Sequence, residues 1–230
     1  MAAHRWRRQL GGVILVALLC TAGCNPQMLA YILEAGSEPM HDPDFPLTSK
    51  DAKKKDPVKV VILTSAPLET REELMGVDRE LSQLVSRFLS EGCQRNKENV
   101  LVASNSKIQK FKDDHPNWKS LSLDDIGKQF NADYVIDLEI NNITLYQEGS
   151  RNTLFRGRAE ISITVADIHR PGDDPIFQKE YTTLYPGARG EVPVSDTNLD
   201  KFRRDFLIKV ATELSWYFTA HPIEDDYRCD

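Results

Sequence analysis

The sequence predicts an α+β fold, an α/β-like mixed sheet with helices packed on it, in the element order β-α-β-α-α-β-β-β-α. The β-branched run KVVILTSA, residues 59–66, is typical of a buried strand. The residues after it place apolar side chains at spacings of three and four, which is typical of an amphipathic helix. From residue 134 to residue 185 the apolar period changes to two, which indicates strands with one buried face.

The first helix is expected between the strand at 59–66 and a second strand, VLVAS, at 100–104. Thr70 and Glu73 form a capping box that predicts its start, and Gly92 is expected to end it. Its apolar stripe consists of Leu74, Val77, Leu81, Leu84 and Phe88. A strand-helix-strand unit of this kind predicts that the two strands are parallel.

Two short helices are expected next, over residues 106–118 and 121–132. Ser122 begins the second of them and has Asp125 three residues further on, which makes it a candidate N-cap. These helices connect the second strand to the β-rich region that follows.

An antiparallel meander of three strands is expected from DYVIDLEINNITLY, FRGRAEISITVAD and IFQKEYTTLY, which are separated by turn-like segments. The apolar phase of the first strand shifts at Asn141 and Asn142, as a bulge would cause. In the second strand, apolar and polar residues alternate cleanly, so one face should be dry and the other wet. A final amphipathic helix over 199–220 would be capped by Asp196 or Thr197.

Residues 1–23 are expected to be a lipoprotein signal peptide. Three arginines and no acidic residue precede the apolar run VILVALLC at 13–20, which is too short to span a bilayer. The segment TAGC, at 21–24, resembles the bacterial lipobox, and the resemblance implies cleavage before Cys24 and acylation of its thiol, for instance with palmitate. Cys20 is then expected to leave with the signal peptide.

Two alternatives stay open for this segment. Thr21 departs from the Leu that is usual at its position in a lipobox, so an ordinary cleaved signal with an incidental Cys24 is one of them. The pair Arg7 and Arg8 could direct twin-arginine export, although its flanks match that signal poorly. By resemblance to the well-studied sorting system, Asn25 after the cysteine favours the outer membrane over the inner membrane.

The mature chain is expected to consist of a tether, residues 24–57, and one periplasmic domain, residues 58–230. Five prolines and the run SKDAKKKD favour extended, solvated chain in the tether. The whole chain carries 29 Lys+Arg against 35 Asp+Glu, a net charge of −6. This balance argues against nucleic-acid binding, which needs a dominant basic surface.

No catalytic, cofactor-binding or metal-binding motif is evident in the sequence, so we expect neither an enzyme nor a cofactor. His41, Asp42 and Asp44 could offer metal ligands, but a Pro-rich segment preorganises them poorly. Cys93 and Cys229 would remain after the signal is removed. We leave open whether they form a disulfide or stay two free thiols.

The segments IGKQFNADYVIDLEI, at 126–140, and ISITVAD, at 161–167, carry a family resemblance. With the lipobox and the tether, the chain resembles, over residues 58–220, the periplasmic domain shared by peptidoglycan-synthase activator lipoproteins and the curli secretion channel lipoprotein. The resemblance implies a non-catalytic protein that binds envelope proteins or assembles into rings. It assigns no partner-binding residue.

The function expected from the sequence is that of a lipid-anchored cell-envelope protein that binds or regulates another envelope protein, as an assembly or accessory factor. Its partners would be the membrane, through the lipid on Cys24, and an envelope protein that the sequence does not identify. One alternative is a homo-oligomeric secretion or transport lipoprotein, and a less favoured one is an envelope hydrolase. Polar meander residues such as Asp137, Glu139 and Arg156 suit water better than lipid, which disfavours a pore.

Overall fold

The structure of the chain, a computed structural model, describes residues 39–48, 56–67, 71–170, 172, 174–187 and 190–223. The internal contacts divide the chain into residues 1–39 and 40–230, and every helix and strand described belongs to the second unit. The predicted signal peptide and Cys24 lie outside the described residues. None of the described helices is long and apolar enough to span a membrane.

The secondary structure follows the predicted order. The described strands are β1 (Met40–His41), β2 (Val58–Ser65), β3 (Val100–Val102), β4 (Tyr134–Tyr146), β5 (Leu154–Asp167), β6 (Phe177–Tyr185), β7 (Val192–Pro193) and β8 (His221–Pro222). The described α-helices are α1 (Val77–Arg95), α2 (Asn105–Asp114), α3 (Leu123–Phe130) and α4 (Leu199–Trp216), with 3₁₀ turns at Glu72–Leu74 and Trp118–Ser120. The long elements therefore confirm the α+β class and the order β-α-β-α-α-β-β-β-α.

The main sheet is mixed. Its strand order is β3-β2-β4-β5-β6, and the short β7 pairs with β5. Strand β2 is parallel to both β3 and β4, which confirms the parallel strand-helix-strand unit. Strands β4, β5 and β6 form the predicted antiparallel meander, and the β4–β5 register shifts between Ile140 and Asn142, where the bulge was predicted.

The parallel half of the sheet has helices on both faces. On one face, α1 and α4 pack over the main core, which includes Ile62 of β2 and Ile136 of β4. On the other face, α2 and α3 pack over Val61, Leu63 and Val135. A strand that is buried on both faces is expected to be continuously apolar, and this explains the run VVIL in β2.

The antiparallel half of the sheet has one buried face. Phe155, Ala159 and Ile161 of β5 point into the main core and are at most 2% exposed. The residues between them, such as Arg158, are exposed or half-exposed, as are most residues of β6. The wet and dry faces predicted for this strand are therefore confirmed.

Helix α1 begins later than predicted. It starts at Val77, directly after Gly76, whose φ of +72° lies in the left-handed region that glycine tolerates best. Gly76 separates α1 from the 3₁₀ turn Glu72–Leu74. The sequence pattern had predicted the turn and α1 as one continuous helix. Thr70 of the predicted capping box lies outside the described residues.

Gly92 lies inside α1 rather than at its end. A Cβ atom built at Gly92 would lie 2.7 Å from the Cγ2 atom of Thr219, so the glycine permits a close approach of the chain that follows α4. The most buried stripe of the helix also differs slightly from the predicted one. Val85 and Leu89 are fully buried, whereas Leu84 is only partly buried.

Two further helix caps were predicted, and one of them is confirmed. The Ser122 hydroxyl accepts a hydrogen bond from the backbone N–H three residues further on, at 3.1 Å. The predicted cap of α4, Asp196 or Thr197, is wrong. The cap is Asn198, whose side-chain oxygen accepts a hydrogen bond from the backbone N–H of Lys201 at 2.8 Å. Asn is as good an N-cap as Asp, so the pattern alone did not separate the neighbouring candidates.

Residues 40–48 fall in the range predicted to be a tether, yet they pack on the domain. Strand β1 pairs with β8. The backbone N–H of Phe45 donates a hydrogen bond to the carbonyl of Tyr217, just after α4, at 2.8 Å. Leu47 is only 7% exposed. Burial of the Phe45 and Leu47 side chains favours this packing. The prolines favour extended chain in this segment, and an extended segment can lie on the domain surface. Residues 24–38 and 49–55 lie outside the described residues.

Candidate functional site

Of the cysteines that the sequence singles out, Cys93 is the one that lies among the described residues. It lies near the end of α1, is 1% exposed in the main core and carries a free thiol. Cys24 and Cys229 lie outside the described residues, so the lipidation stays a prediction and the state of Cys229 stays open.

The environment of Cys93 makes its thiol unreactive. Burial raises the pKa of the thiol to about 12, and the neighbouring Glu98 adds to the rise through a hydrogen bond and its negative charge. The thiolate is the nucleophilic form of cysteine, and at neutral pH almost none is present. Cys93 is therefore a core residue rather than a candidate nucleophile.

The exposed face of the meander carries a network of polar side chains. The Ser162 hydroxyl of β5 donates to Glu180 of β6 at 2.8 Å and accepts a hydrogen bond from the amide of Asn141 on β4 at 2.6 Å. These contacts cross three neighbouring strands and hold the polar face in one arrangement. Cross-strand pairs of this kind each contribute about 0.2–1 kcal/mol.

Strand β6 forms one edge of the main sheet. Its nine residues, Phe177–Tyr185, pair with β5 on one side and with no other described strand. The outer edge of such a strand presents a row of N–H and C=O groups that can pair with another chain. Lys179 and Glu180 are charged, and Lys179 forms an ion pair with Asp44.

A cleft of about 750 Å³ lies at the β4–β5 hairpin end of the exposed sheet face. Four of the side chains that line it are arginines, namely Arg71, Arg151, Arg156 and Arg158. Three are amides, namely Asn142, Gln147 and Asn152. Glu148 is the one acidic side chain among the described residues that line it.

The hairpin turn between β4 and β5 positions part of this cleft. Gln147 donates its backbone N–H to the Leu154 carbonyl at 3.0 Å, which closes the turn. Arg151 and Asn152 adopt left-handed φ values of +52° and +62°. Asn is the more tolerant of this region, so the conformation of Arg151 is the less common of the two.

The arginines of the cleft differ in their partners. Arg156 Nη1 pairs with Glu191 at 2.9 Å, and Arg158 Nη2 pairs with Glu160 at 2.7 Å. The Nε atom of Arg156 is buried and has no hydrogen-bond partner within the described residues. Arg71 and Arg151 have no ion-pair partner within 4.0 Å among the residues that the structure describes.

A second pair of charged residues consists of Lys112 on α2 and Asp137 on β4. Lys112 is 9% exposed, and its ammonium donates to the Thr64 carbonyl at 2.7 Å and lies 4.5 Å from the centre of the Trp118 ring. Burial lowers the pKa of Lys112. Burial, together with the charge of Glu139, raises the pKa of Asp137 to about 6. Because Lys112 satisfies a backbone carbonyl at the end of β2, we assign it a structural role.

A groove of about 590 Å³ contains the residues that were considered as metal ligands. The rings of Trp216 and His221 stack with centroids 4.2 Å apart, and His41 stacks on His221 at 5.5 Å. The acidic residues of the groove are Asp42, Asp44, Glu180 and Glu213. Within the described residues, no group of three acidic, histidine or cysteine side chains is arranged to hold a metal ion.

Sequence reasoning did not identify the arginine cleft. Arg156 and Arg158 are two residues apart in a predicted strand, so they share its polar face. Arg151 lies in the predicted turn just before that strand. The proximity of these three arginines could therefore have been inferred from the sequence. Arg71 comes from the segment before α1, and no spacing in the sequence places it near the hairpin.

Comparison with known proteins finds similarity at the level of solved structures. No protein-family model and no curated protein matches the chain. The PelC dodecamer from Paraburkholderia phytofirmans is similar with 12% identity and a TM-score of 0.41, over 78% of this chain and 96% of that chain.

Two other solved structures give similar values. The hypothetical protein CT253 from Chlamydia trachomatis has 16% identity and a TM-score of 0.42, over 70% of this chain and 97% of that chain. Lipoprotein GNA1162 from Neisseria meningitidis has 9% identity and a TM-score of 0.39, over 69% of this chain and 99% of that chain. At these values the family suggested by the sequence stays a prediction.

Proposed function

We propose that this chain is a lipid-anchored, non-catalytic protein of the bacterial cell envelope that binds another envelope protein. The anchor is supported by the basic region, the short apolar run and the TAGC segment that ends in Cys24. Each buried methylene group contributes about 0.8 kcal/mol, so two or three acyl chains on one cysteine would hold the protein durably. Asn25 favours the outer membrane, with the domain facing the periplasm.

The observation that carries the binding proposal is that β6 lies at the edge of the sheet and pairs, among the described strands, with β5 alone. Addition of a strand to an exposed sheet edge is a common mode of protein recognition, in which main-chain hydrogen bonds supply affinity. The charges of Lys179 and Glu180 on this strand discourage indiscriminate pairing, so a partner has to be complementary to them.

The absence of catalysis is part of the same proposal. It is supported by the buried thiol of Cys93, whose raised pKa keeps it protonated at neutral pH. It is also supported by the lack of a recognisable catalytic motif in the sequence.

A homo-oligomer is the second candidate, and the same edge favours it. Pairing of β6 with β6 of a second copy would be a self-complementary, two-fold contact. Pairing of β6 with another edge of the next copy would extend into a ring or a filament. Both arrangements would use the chain itself as the partner.

Site-specific crosslinking in cells tests the proposal. A photoreactive phenylalanine analogue replaces the exposed Thr182 of β6 in the full chain, and the control carries it at the exposed Lys107 of α2. We expect an adduct from position 182 alone, with a different envelope protein identified by mass spectrometry. An adduct with the mass of two copies would support the homo-oligomer instead, and equal adducts from both positions would contradict both.

A further inference from the structure

The arginine-lined cleft concentrates positive charge on the exposed sheet face. Four guanidinium groups and one carboxylate line it, although the chain as a whole carries a net charge of −6. Gathering like charges in one cleft is unfavourable unless an opposite charge compensates them. Within the described residues, Glu191 and Glu160 compensate two of the four.

The remaining donors point to an anionic ligand. Arg71 and Arg151 line the cleft and have no ion-pair partner in the described part of the chain. The planar guanidinium fork matches carboxylate and phosphate groups, to which it can donate two hydrogen bonds at once.

The rest of the lining favours a ligand that also carries hydroxyl groups. The amides of Asn142, Gln147 and Asn152 each offer donors and an acceptor, which suits hydroxyl groups. Tyr146 and Leu184 add an aromatic ring and an apolar side chain. The volume of about 750 Å³ lies within the range of about 300–1,000 Å³ that is typical of small-ligand sites.

We propose that this cleft binds an acidic saccharide, whose carboxylate or phosphate groups pair with the arginines and whose hydroxyl groups pair with the amides. A peptide with acidic side chains would use the guanidinium groups but has few hydroxyl groups for the three amides. An inorganic anion would fill only a small part of the cleft. The site does not depend on the protein binding proposed for β6.

Titration calorimetry on the full, lipidated chain in neutral detergent micelles tests this site at low salt, where charge pairing is least screened. The acidic probes are tetragalacturonate and a phosphorylated oligomannose, which separate carboxylate from phosphate recognition. The comparison probes are maltotetraose, inorganic phosphate and hexaglutamate. We expect at least one acidic saccharide to bind about tenfold or more tightly than every comparison probe.

Matched variants locate the binding. Arg71→Gln and Arg151→Gln should each weaken binding of the acidic saccharide by about tenfold, because each removes a charged hydrogen-bond donor. Arg204→Gln, on the exposed surface of α4 and outside the cleft, removes the same charge and should leave affinity unchanged. Thermal unfolding of each variant confirms that it is folded.

Three results would overturn the proposal. In the first, neither acidic saccharide binds more tightly than maltotetraose. In the second, hexaglutamate or inorganic phosphate binds as tightly as the acidic saccharides. In the third, the two cleft variants bind like Arg204→Gln.

Discussion

The carboxyl group of Asp137 lies half-buried on β4, and its pKa is raised from 3.8 to about 6. Burial is the larger cause, and the charge of Glu139 adds to it. The folded state thus binds this proton more tightly than the unfolded chain does. The free energy of unfolding therefore falls as the pH rises from about 4 to about 6, and the loss is complete above that range.

Replacement Asp137→Asn should remove this pH dependence. Relative to the parent chain, the variant should gain about 1–3 kcal/mol of unfolding free energy between pH 4 and pH 7, because a neutral amide has no proton to lose. Urea unfolding of the full chain at several pH values measures the difference. Asp113→Asn, at an exposed position of α2, is the control, and a difference for Asp137→Asn that stays constant with pH would contradict the account.

Individual residues were predictable where their role is local. Ser122 caps α3 because its hydroxyl accepts a hydrogen bond from the backbone N–H of Asp125. The two residues are three apart in the chain, so this spacing can be seen in the sequence. The environment of Asp137 was not predictable, because the lysine that lies near it, Lys112, comes from a separate helix. The sequence pattern placed Asp137 on a wet strand face and gave no sign of its burial.

Helix α1 shows what periodicity can predict at the scale of an element. The spacing of three and four identifies the helix and most of its buried face. Its ends depend on other information, since Gly76 separates it from a 3₁₀ turn and Gly92 serves a contact with Thr219. Glycine is common both as a helix terminator and at close approaches, and the sequence alone does not distinguish the two uses.

Replacement Gly92→Ala should destabilise the protein, contrary to the usual gain of about 1 kcal/mol for alanine in a helix. The new Cβ would lie 2.7 Å from Thr219 Cγ2. Thr219 is held by hydrogen bonds to Asn96 at 2.9 Å and Glu98 at 3.0 Å, so it moves aside only at a cost. We expect a net loss of about 1–2 kcal/mol in urea unfolding.

The control for this contact is Thr219→Ser, which removes Cγ2 and keeps the hydroxyl group. In that background Gly92→Ala should be neutral or stabilising, because the close contact is gone. An equal loss in both backgrounds would show that the contact with Thr219 is not the reason for the glycine.

At the scale of the described domain, the sheet joins a parallel half that helices cover on both faces to an antiparallel half that the described helices cover on one. This difference was predictable, because a continuous apolar run and a strict alternation are the respective patterns of such strands. The arginine cleft was not, because Arg71 and the β4–β5 hairpin are far apart in the chain and meet only in the folded domain. The position of β6 at the edge of the described sheet likewise follows from strand order, which periodicity does not reveal.

The central claim is that Cys24 anchors this domain to a membrane of the cell envelope, since the compartment limits every partner proposed for it. Metabolic labelling with a palmitate analogue, followed by purification of the full chain, measures this directly. The account predicts that the parent chain and Cys20→Ala are labelled and that Cys24→Ala is not. Label that survives Cys24→Ala, or a parent chain that carries none, would contradict it.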